Sequence, residues 1–198
     1  MSAAAVEQPF EPPTLLEAAD LISDQLVGYR VEIIGSQIAV TPPPNAPHSR
    51  SLTNIMVPFL AAGLHGEETQ VLQGIGIRLP NGPSDYAIPD LAVVDGDIDE
   101  HYVGNNCYDP GVFRLVLEVT SSNHDYDLKI KPTAYAGAGV PVYVIVDRKY
   151  RKVRVLTDPS DGEYRLHAVH HPGQSFELPA SVGAPVTLSV DTVLGPEK

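Results

Sequence analysis

One heptapeptide limits what this chain can become. Phe113-Arg-Leu-Val-Leu-Glu-Val119 is apolar at five of its seven positions and carries Glu118 near its end. A mostly apolar run of this length reads as a strand buried on both faces. An ionised carboxylate in such a strand is costly unless it is paired or holds a cation. Pro89-Asp90 poses the same problem, because Asp90 opens the apolar run Leu91-Ala-Val-Val94. Two such carboxylates on adjacent strands would make a hard, oxygen-rich site suited to Mg²⁺ or Mn²⁺. A lysine nearby, for which Lys131 is the candidate, would orient an attacking water or stabilise developing phosphate charge. The competing reading puts both acids at strand ends, solvated or paired with Arg114 or Lys129. Their separation in sequence does not decide between the two.

The rest of the chain supplies a framework for these strands. Residues 1–13 hold three prolines and little pattern, and read as a loose arm. Thr14-Leu-Leu-Glu17 fits a capping box, and apolar residues at helical spacing predict a first helix over 14–26. Tyr29 to Ile34 and Gln37 to Thr41 flank Gly35-Ser36, a hairpin signature. A second helix is expected from His48 to Leu64 with a kink at Pro58. Strands follow over 69–79, 89–95 and 113–119, then a helix near 127–138. Val142-Tyr-Val-Ile-Val146 and a hairpin around 158–162 complete the pattern. No repeat or linker divides the chain, so residues 14–198 read as a single domain. The alternation of helices and strands indicates an α/β or α+β fold with a mixed central sheet flanked by helices.

Composition narrows the function. The net charge of −12 argues against an indiscriminate nucleic-acid coat protein. It is unevenly spread, since residues 114–154 hold 8 basic and 4 acidic residues. Any anionic ligand is to be sought there, above all at Arg148-Lys-Tyr-Arg-Lys-Val-Arg154, although exposed turns are often basic without a partner. One cysteine, Cys107, excludes an intramolecular disulfide and a multi-cysteine zinc site. No apolar run approaches the ~18–20 residues of a membrane span. With no basic, apolar leader at its start, the sequence reads as soluble and cytoplasmic. His167, His170 and His171 lack a carboxylate at ligand spacing and read as surface histidines. Gly74-Ile-Gly76 marks a strand bend rather than a dinucleotide fingerprint.

Pro89-Asp90, Glu118-Val-Thr120 and Lys131 resemble the PD-(D/E)xK nuclease signature, with Thr120 where that signature normally has its lysine. Asp127-Leu-Lys-Ile-Lys131, Tyr135-Ala-Gly-Ala-Gly-Val-Pro141, Tyr143 and Ile145-Val-Asp147 are similar to the most recognisable stretch of the Uma-type family of restriction-endonuclease-like proteins. Glu32-Ile-Ile34, Gln37-Ile-Ala-Val-Thr-Pro-Pro-Pro44 and His48 fall in the same register. The resemblance implies a restriction-endonuclease-like fold and a Mg²⁺- or Mn²⁺-dependent endonuclease acting on DNA, with a homodimer expected for cutting both strands. It implies that Asp90, Glu118 and the carbonyl of Val119 are metal ligands. By the same analogy Lys131 holds the water and Glu32 completes the acidic cluster. Pro132 directly after Lys131 would break the hydrogen bonding of a helix interior, whereas a helix beginning at about Lys131 puts it at the favoured first position. Lys131 then sits at a helix start rather than in its second turn, which makes Lys129 a substitute candidate. A catalytically silent nucleic-acid-binding or regulatory protein keeping the same fold is the alternative, and Thr120 and Pro132 are the departures that favour it.

Overall fold

The computed structural model describes residues 11–121 and 124–195. Most of the expected arm, residues 1–10, lies outside the described residues, and residues 11–13 carry no regular structure. Helix α1 (Leu15–Gln25) begins with the capping box intact. The Thr14 hydroxyl accepts from the Glu17 N–H, and the Glu17 carboxylate accepts from the Thr14 N–H at 2.7 Å. Strands β1 (Arg30–Ile34) and β2 (Gln37–Thr41) then form an antiparallel hairpin. Gly35 and Ser36 both have positive φ, 62° and 58°, which suits a two-residue turn matched to strand twist. The buried carboxylate of Asp85 accepts from both turn amides and offsets the strain at Ser36.

Helix α2 (Ala46–Ala61) starts two residues before the expected position. Asn45 caps it by accepting from the His48 N–H at 3.1 Å, and Pro47 sits in the first turn, where its missing N–H costs nothing. The helix continues past Pro58. The expected single strand over 69–79 is instead two, β3 (Thr69–Leu72) and β4 (Gly76–Arg78), separated at Gly74, whose φ is 64°. These two strands belong to different sheets.

The expected central sheet has the strand order β12-β11-β10-β9-β6-β3, comprising β6 (Leu91–Asp95), β9 (Phe113–Val119), β10 (Val142–Asp147), β11 (Lys152–Ser160) and β12 (Glu163–His170) with β3 at one edge. It is mixed, since β9 and β10 run parallel while every other neighbouring pair is antiparallel. A second six-stranded sheet was not foreseen. Its order is β2-β1-β5-β4-β8-β7, using β5 (Tyr86–Ala87), β7 (Tyr102–Gly104) and β8 (Cys107–Tyr108). Strands of two or three residues offer too few positions for a periodicity to show. Near the C-terminus, β13 (Ser175–Glu177) pairs with β14 (Thr187–Ser189), and α4 (Val190–Leu194) packs on α2.

The pleat sorts the central strands into two faces. Leu91, Val93, Leu115, Leu117, Val144 and Val146 pack toward α2 and the C-terminal elements. Ala92, Val94, Val116, Tyr143 and Ile145 face the other way, toward α3 (Lys131–Gly137). Asp90 and Glu118 share this second face by their two-residue spacing from Ala92 and Val116. On β1, Val31 and Ile33 pack with Ala19 of α1, which turns Arg30 and Glu32 to the opposite side, into the space between the sheets. No helix among the described residues is long and apolar enough to cross a membrane.

Leu117 is fully buried directly opposite Leu91 in the register, the pair next to Asp90 and Glu118. Truncation to alanine is expected to lower stability by about 2–5 kcal/mol. Urea denaturation should show a lower midpoint at an unchanged slope.

Candidate active site

Four carboxylates and two cations meet between the sheets. Glu118 is buried on β9, and its Oε1 accepts from Lys131 Nζ at 2.6 Å and from the Tyr135 hydroxyl at 2.9 Å. Glu32, on β1, has its Oε1 3.0 Å from the same ammonium and also accepts from the Ile88 N–H at 2.7 Å. Asp127 lies 3.9 Å from Lys131 Nζ. Asp90, just ahead of β6, accepts from Arg30 Nη1 at 2.8 Å on one oxygen and from the Val119 N–H at 2.8 Å on the other. Nε2 of the buried His48 is 3.3 Å from that second oxygen.

Lys131 reaches this cluster because of what precedes it. Residues Tyr126–Ile130 form a π-helical turn, in which the Lys131 N–H bonds back to the Tyr126 carbonyl, and α3 starts at Lys131 itself. Pro132 therefore sits in the first turn of α3, where a missing N–H is tolerated. The lysine side chain is 2% exposed. Lys129 points elsewhere, pairing with Asp125 at 3.0 Å with both side chains in solvent, so it is not the substitute considered from the sequence. Arg114 likewise pairs with Asp95 and not with either site acid. Thr120 Oγ1 accepts from the Arg148 N–H at 3.1 Å, tying the end of β9 to the basic turn after β10.

Burial, set against the nearby charges, governs the protonation of the cluster. Burial raises the Glu118 carboxyl to about 8 against the pull of Lys131, with Asp90 adding to the rise. Burial and the neighbouring Asp90 and Glu32 likewise lift Asp127 to about 6. The Lys131 ammonium loses to burial but gains more from Glu118 and Glu32, so its proton is held more firmly than usual. Asp90 goes the other way. Burial would raise it, but His48, Arg30 and the Val119 amide together hold it well below the ordinary carboxylate range. Two adjacent carboxyls are thus pushed apart, Asp90 ionised and Glu118 able to hold a proton near neutrality.

The donor set fits a hard divalent cation. The oxygens are carboxylates, and four acids against two bases leave an excess of two negative charges when all are ionised. Among the described residues no three acidic, histidine or cysteine side chains stand ready as a ligand cage. Asp90 and Glu118 are instead engaged by Arg30 and Lys131. A groove of about 390 Å³ leads to Asp90 and Arg30 from outside, walled by Pro43, Asn45, His48 and Gln73. Arg148 reaches toward its rim, with Nη1 3.5 Å from Asn45 Oδ1.

Every side chain singled out from the sequence, Asp90, Glu118, Lys131 and Glu32, lies in this one cluster, and the Val119 backbone adjoins it. Arg30, Asp127 and Tyr135 were missed, although each carried a spacing signal. Arg30 is two residues from Glu32 on a strand, hence on the same face. Asp127 and Tyr135 are four residues either side of Lys131, one helical turn away. The three neighbouring histidines keep to the surface reading, His170 stacking on Phe176 and His167 bonding the Tyr164 carbonyl.

A mixed sheet flanked by helices is the architecture this chain shares with a solved structure. A crystal structure of a putative nuclease belonging to DUF820 from Anabaena variabilis superposes with a TM-score of 0.70 at 15% identity, covering 92% of this chain and 98% of that one. The chain belongs to the Uma2 family, described as putative restriction endonuclease, whose family model matches residues 20–191. Among curated proteins none matches.

The raised carboxyls carry a signed prediction. Glu118 and Asp127 bind protons more tightly in the folded chain than at their ordinary values of 4.5 and 3.8. Their contribution to stability is full below those values and is lost as pH climbs through about 6 for Asp127 and about 8 for Glu118. In metal-free buffer the melting temperature of wild type relative to Glu118→Gln should fall between about pH 5 and about pH 8. A difference that stays constant across that range would contradict the raised carboxyl.

Proposed function

We propose that this chain is a divalent-metal-dependent endonuclease that hydrolyses DNA phosphodiester bonds in the cytoplasm. The supporting observation is the convergence of Asp90, Glu118 and Lys131, from two strands and a helix, on one side of the central sheet, with Asp90 lining an open groove and Glu118 and Lys131 buried behind it. Asp90 and Glu118, with the carbonyl of Val119, are the groups that would hold Mg²⁺ or Mn²⁺. When bound, the ion lowers the pKa of a water and offsets charge on the phosphoryl oxygens.

The chain's own residues do the rest. Lys131 keeps its proton and presents an ammonium that orients the attacking water and steadies the charge that grows on the phosphoryl oxygens. Tyr135 and Lys131 fix one oxygen of Glu118 by donating to it, which leaves its other oxygen on the side of Arg30. The Val119 N–H and His48 fix Asp90 in the same way. Ile88 anchors Glu32, which gives the Lys131 ammonium a second carboxylate partner at 3.0 Å. The water oxygen bonds to phosphorus as it releases a proton to solvent, and the ester oxygen in line with it departs with the bonding pair and takes up a proton from solvent.

The duplex is held by the groove and by the basic turn at 148–154, where Lys149 and Lys152 flank the exposed ring of Tyr150 at 5.2 and 5.3 Å. Phosphate contacts of this kind release counterions, so affinity falls steeply with salt. Cleavage of both strands calls for two sites, and the working unit is a homodimer of the domain spanning 14–198.

Supercoiled plasmid at low salt provides the test. Wild type is expected to nick it with Mn²⁺ or Mg²⁺ and not in EDTA. Glu118→Gln, Asp90→Asn and Lys131→Met should each lose at least about 100-fold in rate while remaining folded. No nicking of several plasmids with either metal would overturn this reading in favour of a silent protein that keeps the nuclease fold.

A further inference from the structure

Arg30 is the second cation of the cluster, and its geometry differs from that of Lys131. It opens β1 on the face that carries Glu32. Nη1 donates to the Ile88 carbonyl at 2.7 Å and to Asp90 at 2.8 Å, and Nη2 lies 3.9 Å from Glu118 Oε2. Nε is buried without a hydrogen-bond partner, 4.0 Å from Glu32. One guanidinium thus spans the two carboxylates assigned above to the metal.

Arg30 also has room to move, which Lys131 lacks. Its side chain is 21% exposed, against 2% for Lys131. It lines the 390 Å³ groove and also a second cavity of about 440 Å³ bounded by Asp20, Tyr29, Tyr86 and Asn106. Arg30 borders both spaces, so room for the side chain to shift lies next to the residue. A divalent ion added beside it would meet a like charge a few ångströms away in a weakly screened site, which is strongly unfavourable.

We propose that Arg30 is a resident counter-cation that occupies the divalent ion's place between Asp90 and Glu118 and has to give way to it. Arg30 thereby sets how tightly this site takes metal. The inference rests on the reading of Asp90 and Glu118 as ligands. Before metal arrives the guanidinium keeps Asp90 and Glu118 oriented and close together, which makes it a positioning residue. An arginine that merely braced the fold would lower both stability and metal affinity when removed. A competing cation gives opposite signs, with stability falling and affinity rising.

The experiment is calorimetric titration of MnCl₂ into the full chain without nucleic acid, with thermal unfolding in EDTA and in Mn²⁺ alongside. Arg30→Met is expected to bind Mn²⁺ at least tenfold more tightly than wild type. It should melt lower in EDTA and gain more from added Mn²⁺. Arg30→Lys, whose ammonium cannot fork across two carboxylates, should fall between the two, and it carries the test if Arg30→Met does not fold without metal. Asp90→Asn should lose the binding. Unchanged or weaker Mn²⁺ binding in the Arg30 variants, with binding abolished by Asp90→Asn, overturns the competition and leaves the metal site standing. No Mn²⁺ binding by wild type or by either Arg30 variant overturns both.

Discussion

The contact between Lys131 and Glu118, 2.6 Å long and sealed from solvent, is the interaction on which the rest of the site depends. Neither group could be buried alone. A lone carboxylate in a strand apolar on both faces would give up its charge, and a lone ammonium at 2% exposure would shed its proton. Together they are tolerable, and the tyrosine hydroxyl and Glu32 satisfy what remains. The cluster is still acidic overall. Burial raises Glu118 and Asp127 and the neighbouring acids hold the proton on Lys131, while Asp90 stays low because His48, Arg30 and the Val119 amide together outweigh its burial.

The fold exists in a form that brings these groups together. Antiparallel pairing of β6 with β9 sets Leu91 opposite Leu117, which leaves Asp90 and Glu118 as neighbours on one face. Parallel pairing of β9 with β10 requires a crossover, and the segment that supplies it carries Lys131 back over the same face. The π-helical turn before Pro132 is where the local chemistry and the site meet. A regular helix through residues 126–137 would place a proline against the preceding turn. The wider turn removes that conflict and sets Lys131 at the start of α3.

Much of this was legible in the sequence, and what was not has physical reasons. The capping box at Thr14, the Gly35-Ser36 hairpin and the buried strands at 91–95 and 113–119 are short-range signals that survive into the structure. The acids Asp90 and Glu118 stood out because charge in an apolar strand demands an explanation. Arg30 did not stand out, because its partners are 58, 60 and 88 residues away in sequence and only the pairing of β1 with β5 brings them near. The second sheet was missed for a similar reason. Its strands are too short to show alternation, and β3 and β4 read as one strand until the turn at Gly74 divides them. A helix beginning at Lys131 with Pro132 in its first turn is one of the two readings the sequence allows, and the structure adopts it. What the sequence does not show is the preceding π-helical turn and the reach of Lys131 to Glu118.

The central claim is that Asp90 and Glu118 together form a cation site on one face of the sheet. Crystals grown with Mn²⁺ and measured at a wavelength where manganese scatters anomalously test this most directly. The account predicts one strong anomalous peak about 2.0–2.3 Å from an oxygen of each carboxylate, with Lys131 still on Glu118. A map without a peak at Asp90 and Glu118, or with manganese bound only elsewhere, would contradict it.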